Sequence, residues 1–275
     1  MQPSHPSVKH LPLSKDRISN VIAEMISNFE KYAIGRKALP PLKLEKDERR
    51  NAEGFIRVGM SNIVDKIWFV EAKFGETSYG YQGIGSDYGR GLAEAESKLI
   101  VDSILEKCQL NTLTFEGDIQ PSDILKSIEF LGQKHMEPRV ILTNIDDHLQ
   151  LWRHRNMIVH GQLGVSSSLS GFIHNIDILL CRGVPKGMSI VVDPQKIGNL
   201  FIKEAIDEVA TISDIATNER EKLLKELPDL TPEKLDESVK ILVYETIKAE
   251  IVESNAAAIL QKKQEKEQFL FVGRD

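Results

Sequence analysis

The chain has 275 residues, enough for one large domain or two small ones and for a full apolar core. Asp and Glu outnumber Lys and Arg by 41 to 35, and only 6% of residues are aromatic, which argues against bulk coating or stacking of nucleic acid. Hydrophobic residues at 41% exclude disorder, and two cysteines, Cys108 and Cys181, exclude a disulfide framework and suit a reducing compartment. No apolar run approaches a membrane span, and the opening MQPSHPSVKH lacks the apolar stretch of a signal peptide, so a cytoplasmic location is expected.

In chain order, residues 1 to about 13 read as an arm punctuated by Pro3, Pro6 and Pro12. Ser14 is a candidate N-cap. Ile18, Val21, Ile22, Met25, Ile26 and Phe29 then recur at helical spacing until Gly35, and Pro40-Pro41 prevents a restart. After the charged run 45–51, strands are predicted at about 54–60 and 65–74, joined by a turn near Ser61-Asn62. The Gly- and Tyr-rich stretch 75–91 reads as a connector, and a helix is predicted from Leu92 to Cys108. A strand at 112–115, a helix opening at Pro121, a strand at 140–142 and a helix capped by Asp146 follow. Residues 161–171 read as a Gly/Ser loop, 172–180 and 188–192 as strands, and about 198–212 as a helix. A charged surface helix is predicted at 214–227, and a further turn starts at Thr231-Pro232. Residues 239–252 recur at both two and four; their content of Ile, Val, Thr and Tyr favours a long strand. The tail from Gln261 is polar and reads as helix or coil.

The sequence carries no recognisable catalytic chemistry. Gly83-Ile84-Gly85 would need its third glycine at Tyr88, so the dinucleotide fingerprint fails, and no P-loop follows. His148, His154 and His160 are spaced by six, off any single helical face, and neither HExxH nor CxxC occurs. Asp146-Asp147 is explained by a helix start. No catalytic residue, metal site or cofactor is expected.

The order of these elements resembles the tailed-phage major capsid fold of the Hong Kong 97 type. PLSKDRISNVIAEMISNFEKYAIGRK at 12–37 resembles the N-terminal helix of encapsulins, the related shell proteins. The stretch 114–152, from TFEGDIQPSDIL to HLQLW, resembles a shell-protein strand, helix and strand. VPKGMSIVVDPQKIG at 184–198 is similar to the capsid turn and strand, and VYETIKAEIVESNAAAIL at 243–260 to the closing strand, with Ala256 where proline is common. The resemblance implies an α+β Hong Kong 97-type fold. It divides the chain into an N-terminal arm and helix (1–44), an E-loop (45–86), a P-domain with its spine helix (87–145 and 236–262), an A-domain (146–235) and a C-terminal tail (263–275).

It also implies a non-enzymatic subunit that self-assembles into an icosahedral nanocompartment. The cargo would be a protein such as a ferritin-like or peroxidase-like enzyme, with no membrane partner. A viral or proviral capsid protein, with nucleic acid as partner and the virion as location, is the alternative. A different class, an enzyme with an unread motif, stands beside both. In the encapsulin reading, Ile18, Val21, Ile22, Met25, Ile26 and Phe29 line an interior cargo-peptide groove, since the stripe is wider than one packing face needs. Gly164, Ser166, Ser167 and Ser168 are the expected pore loop, and the 54–74 hairpin is expected to pack on an adjacent subunit.

Overall fold

The computed structural model describes residues 15–49, 53–65, 79–153, 169–173, 176–227 and 229–263. Its strands are β1 (Pro41–Lys43), β2 (Ile56–Asp65), β3 (Thr112–Phe115), β4 (Val140–Thr143), β5 (Leu169–Ile173), β6 (Ile176–Leu180), β7 (Met188–Val192), β8 (Gly198–Glu204), β9 (Thr211–Asp214), β10 (Ser238–Ile251) and β11 (Ala257–Lys262). The chain divides into two compact units. One lies within Met1–Arg36, Pro41–Leu99 and Asn199–Glu250, the other within Lys37–Pro40, Ile100–Gly198 and Ile251–Asp275. The sequence division differs: it joined 100–145 to the P-domain and gave 199–235 to the A-domain.

In the first unit, β1, β8, β10 and β2 lie side by side, and β9 also pairs with β10. The ambiguous segment 239–252 is a strand because alternation wins. Val239, Ile241, Val243 and Ile247 are fully buried, and β10 pairs antiparallel with β2 from Ser238↔Asp65 to Ile247↔Ile56. That long ladder corrects the predicted turn at Ser61-Asn62. Both residues are mid-strand, opposite Leu242 and Ile241, so β2 runs straight through. The second half of the expected hairpin, 66–74, lies outside the described residues.

The predicted helix at 198–212 is also corrected. It is β8, a single turn at Ile206–Val209, and β9. Leu200 and Ile202 are buried at strand spacing while β8 pairs with β1, so sheet formation overrides local helical preference.

The second unit holds a six-stranded sheet in the order β3-β11-β7-β4-β6-β5. The helix Pro121–Gln133 supplies Ile124 and Leu131 to its core, with Ile141, Ile178, Val191 and Leu260 from the sheet. At its start the Asp123 side chain accepts from the Gln120 backbone N–H at 3.1 Å. The helix Ile145–Trp152 is capped by Asn144 rather than by Asp146. The Asn144 side chain accepts from the Asp147 backbone N–H at 2.9 Å, while Asp146 sits in the first turn. The end of the expected Gly/Ser loop, Leu169–Gly171, belongs to β5, which pairs antiparallel with β6. Gln261 and Lys262, read as part of the tail, complete β11.

The charged helix at Thr217–Glu226 and the Thr231 cap match expectation; Thr231 Oγ1 accepts from the Lys234 N–H at 3.3 Å.

Candidate functional site

The N-terminal helix, Lys15–Tyr32, has a stripe wide enough to divide into two rows. Val21, Met25 and Phe29, four apart, are buried in the first unit's core. They lie with Leu92, Ala93, Ile206, Ile212, Val239, Ile241 and Val243. Ile18, Ile22 and Ile26, also four apart, are half-buried and pack against the edge of that core. The six residues of the predicted groove thus differ in burial. Val21, Met25 and Phe29 are spent on the protein's own core, because a row turned fully inward has no face left for a ligand. Only the Ile18, Ile22 and Ile26 row stays accessible.

What seats this helix is the glycine-rich stretch read as a connector. The long helix starts at Tyr79, not Leu92, and runs to Lys107. A Cβ on Gly89 would lie 2.2 Å from the Met25 carbonyl oxygen, and one on Gly85 would meet the Glu24 side chain at 2.7–2.9 Å. Gly85 and Gly89 are one helical turn apart, so they open a notch that admits the Glu24 side chain at one and the Met25–Phe29 backbone at the other. Here glycine's poor helix propensity, about 1 kcal/mol per residue, is offset by close packing.

Past the helix, Arg36 ties three segments together. Its Nε donates to Glu96 Oε1 at 2.9 Å, and its Nη2 donates to Glu96 Oε2 at 2.7 Å and to Glu245 Oε2 at 2.6 Å. The side chains of Glu96 and Glu245 are only 1% and 2% exposed. Glu245 Oε1 accepts from the Ile206 N–H at 3.1 Å, the Gly35 N–H donates to Ser97 Oγ at 3.1 Å, and the Phe29 ring lies 4.5 Å from the guanidinium. Burial pushes the Glu245 carboxyl up to about 8, with Arg36 opposing and Glu96 adding to the rise. Burial also pushes Glu24 up to about 7. The sequence held a signal for this cluster that periodicity reasoning passed over: Glu245 occupies the apolar phase of β10.

The expected pore residues Gly164, Ser166, Ser167 and Ser168 lie outside the described residues. In the second unit a cavity of about 540 Å³ is lined by β3 and the helix Pro121–Gln133, with Leu113, Phe130 and Leu260 beside Asp123, Lys126 and Glu129. Among the described residues, no group of three or more His, Cys, Asp or Glu is placed to hold a metal ion, and no helix is long and apolar enough to cross a membrane.

This architecture is the Hong Kong 97-type capsid fold, shared by encapsulins and tailed phages. The solved virus-like particle from Pyrococcus furiosus superposes with a TM-score of 0.55 at 13% identity, covering 89% of this chain and 99% of that one. The holo-SrpI encapsulin complex from Synechococcus elongatus gives 0.52 at 11% identity, covering 94% and 92%. A structure from Mycobacterium phage Ogopogo gives 0.51 at 13%, covering 76% of each chain. No protein-family model matches the sequence, and no curated protein matches it.

Proposed function

We propose that the chain is a non-enzymatic subunit of a closed protein shell, a cytoplasmic encapsulin-like nanocompartment that self-assembles from many copies and encloses cargo protein. The observation that carries this reading is the length of the fold match: it spans nearly the whole of the virus-like-particle and encapsulin chains as well as nearly the whole of this one. Copies join through heterologous contacts that close with icosahedral symmetry. Ile18, Ile22 and Ile26 form the face that receives a cargo peptide. Two or three aliphatic side chains buried there give roughly 3–6 kcal/mol before ordering costs, and confinement of many sites in one interior makes this effective.

Negative-stain microscopy of the purified protein tests the shell. Closed particles support it, and a monodisperse monomer under native conditions refutes it. A viral capsid role is the second reading, favoured by the fold match to the phage structure. Protein enclosed in the particles supports the first reading, and packaged DNA the second.

A further inference from the structure

We propose that Arg36, Glu96 and Glu245 form a pH-sensitive latch that holds the N-terminal helix while Glu245 keeps its proton, and that loosens when the proton leaves. This goes beyond the shell reading and does not rest on it. One guanidinium serves two buried carboxyl groups, both on the same Nη2. With both ionised, the cluster carries one uncompensated negative charge away from water, a costly arrangement. With one proton present, charge balances and every short contact is kept.

The cluster joins the end of the N-terminal segment, the long helix and β10. The chain approaching it from Ile206 offers a backbone N–H rather than a charge. On β2, the residue opposite Glu245 is Val58. On β8, Glu204 is engaged by Thr246 and Arg57, in the other phase of β10. Glu208 is held down to about 2 by hydrogen bonds from Arg49 and Lys43, so it stays ionised throughout. Glu24 lies instead against Gly85 and contributes its own loss, of the same sign.

The direction follows from linkage. A carboxyl whose folded value is about 8, above the ordinary 4.5, stabilises the fold fully below the ordinary value. That contribution falls as pH rises and is gone above the folded value. One proton corresponds to at most about a tenfold fall in the folding constant per pH unit.

The test is urea unfolding of the full chain from about pH 5.5 to about pH 8.5, with amide exchange over residues 18–33 corrected for intrinsic rates. Wild type is expected to lose stability with pH more steeply than Glu245→Gln, by up to about tenfold per unit, and to lose protection of the helix in parallel. The glutamine keeps the shape and stays neutral, so a purely structural role would leave the slope unchanged. Glu96→Gln is read in the same way if the first variant does not fold. Equal slopes in wild type and variant overturn the latch, as does unchanged helix protection across the range in wild type.

Discussion

Gly89 offers the sharpest test of how the N-terminal helix is seated. Replacing it with alanine adds one methyl group, whose carbon would stand 2.2 Å from the Met25 carbonyl oxygen and 3.0 Å from the Phe29 backbone nitrogen. Both atoms belong to helix backbone, so the obstruction cannot be relieved by a side-chain rotation. The N-terminal helix must shift by about 1 Å to reach ordinary contact, and overpacking of this kind costs roughly 1–3 kcal/mol or more. Alanine regains up to about 1 kcal/mol of helix propensity in the long helix, which does not cancel the clash. Full release of the helix would forfeit Val21, Met25 and Phe29 from the core at roughly 1.5–3 kcal/mol each, an upper limit on the damage. A net loss of about 1–3 kcal/mol is expected, read as a fall in denaturation midpoint. Gly132→Ala is the control. It lies in the helix Pro121–Gln133 with nothing within 4 Å of the added carbon, and it should gain about 0.5–1 kcal/mol. A Gly89→Ala protein as stable as wild type, measured beside this control, refutes the seating argument.

Other outcomes follow from the same geometry. Ile22→Asp should leave the fold largely intact and abolish cargo capture, whereas Phe29→Asp should unfold the first unit, since its ring is buried in the core; co-purification and circular dichroism separate the two. Asn144→Ala removes the helix cap and the 2.8 Å donation to the Pro185 carbonyl, for an expected loss of about 1–3 kcal/mol in urea unfolding. Cys108 is buried and burial pushes its thiol up to about 11, while Cys181 is buried and raised as well. A thiol reagent at about pH 8 should modify neither in the native protein and both in denaturant.

The fold was legible where periodicity and caps agree. The N-terminal helix, the helix from Pro121, β7 and the Thr231 cap all follow local rules, and β10 was recovered from alternation and β-branched content. Local pattern is overridden where long-range pairing decides. Ser61 and Asn62 suit a turn, but a ladder to residues more than 170 positions away holds them in a strand. The segment 198–204 looked helical until β1 and β10 claimed it. The candidate groove was half legible. Helical spacing identified the six apolar residues, but how many of them the core consumes depends on Gly85 and Gly89, whose packing role is set by the Glu24 side chain and the Met25 backbone. The Arg36 cluster joins positions 36, 96 and 245, a conjunction invisible to local pattern.

The positions of β10 and β11 bear on biosynthesis. Neither strand is at the margin of its sheet: β10 lies between β8 and β2, and β11 between β3 and β7. Residues 238–262 are therefore wedges inserted late into both layers. A nascent chain lacking them has two split sheets with unsatisfied inner edges, and at roughly 5–20 residues per second it waits in that state for seconds. Both units then close nearly together. This order leaves the unsatisfied inner edges open to pairing with other strands until residue 262 emerges. It also makes the interval before residue 262 emerges the period of greatest need for a chaperone.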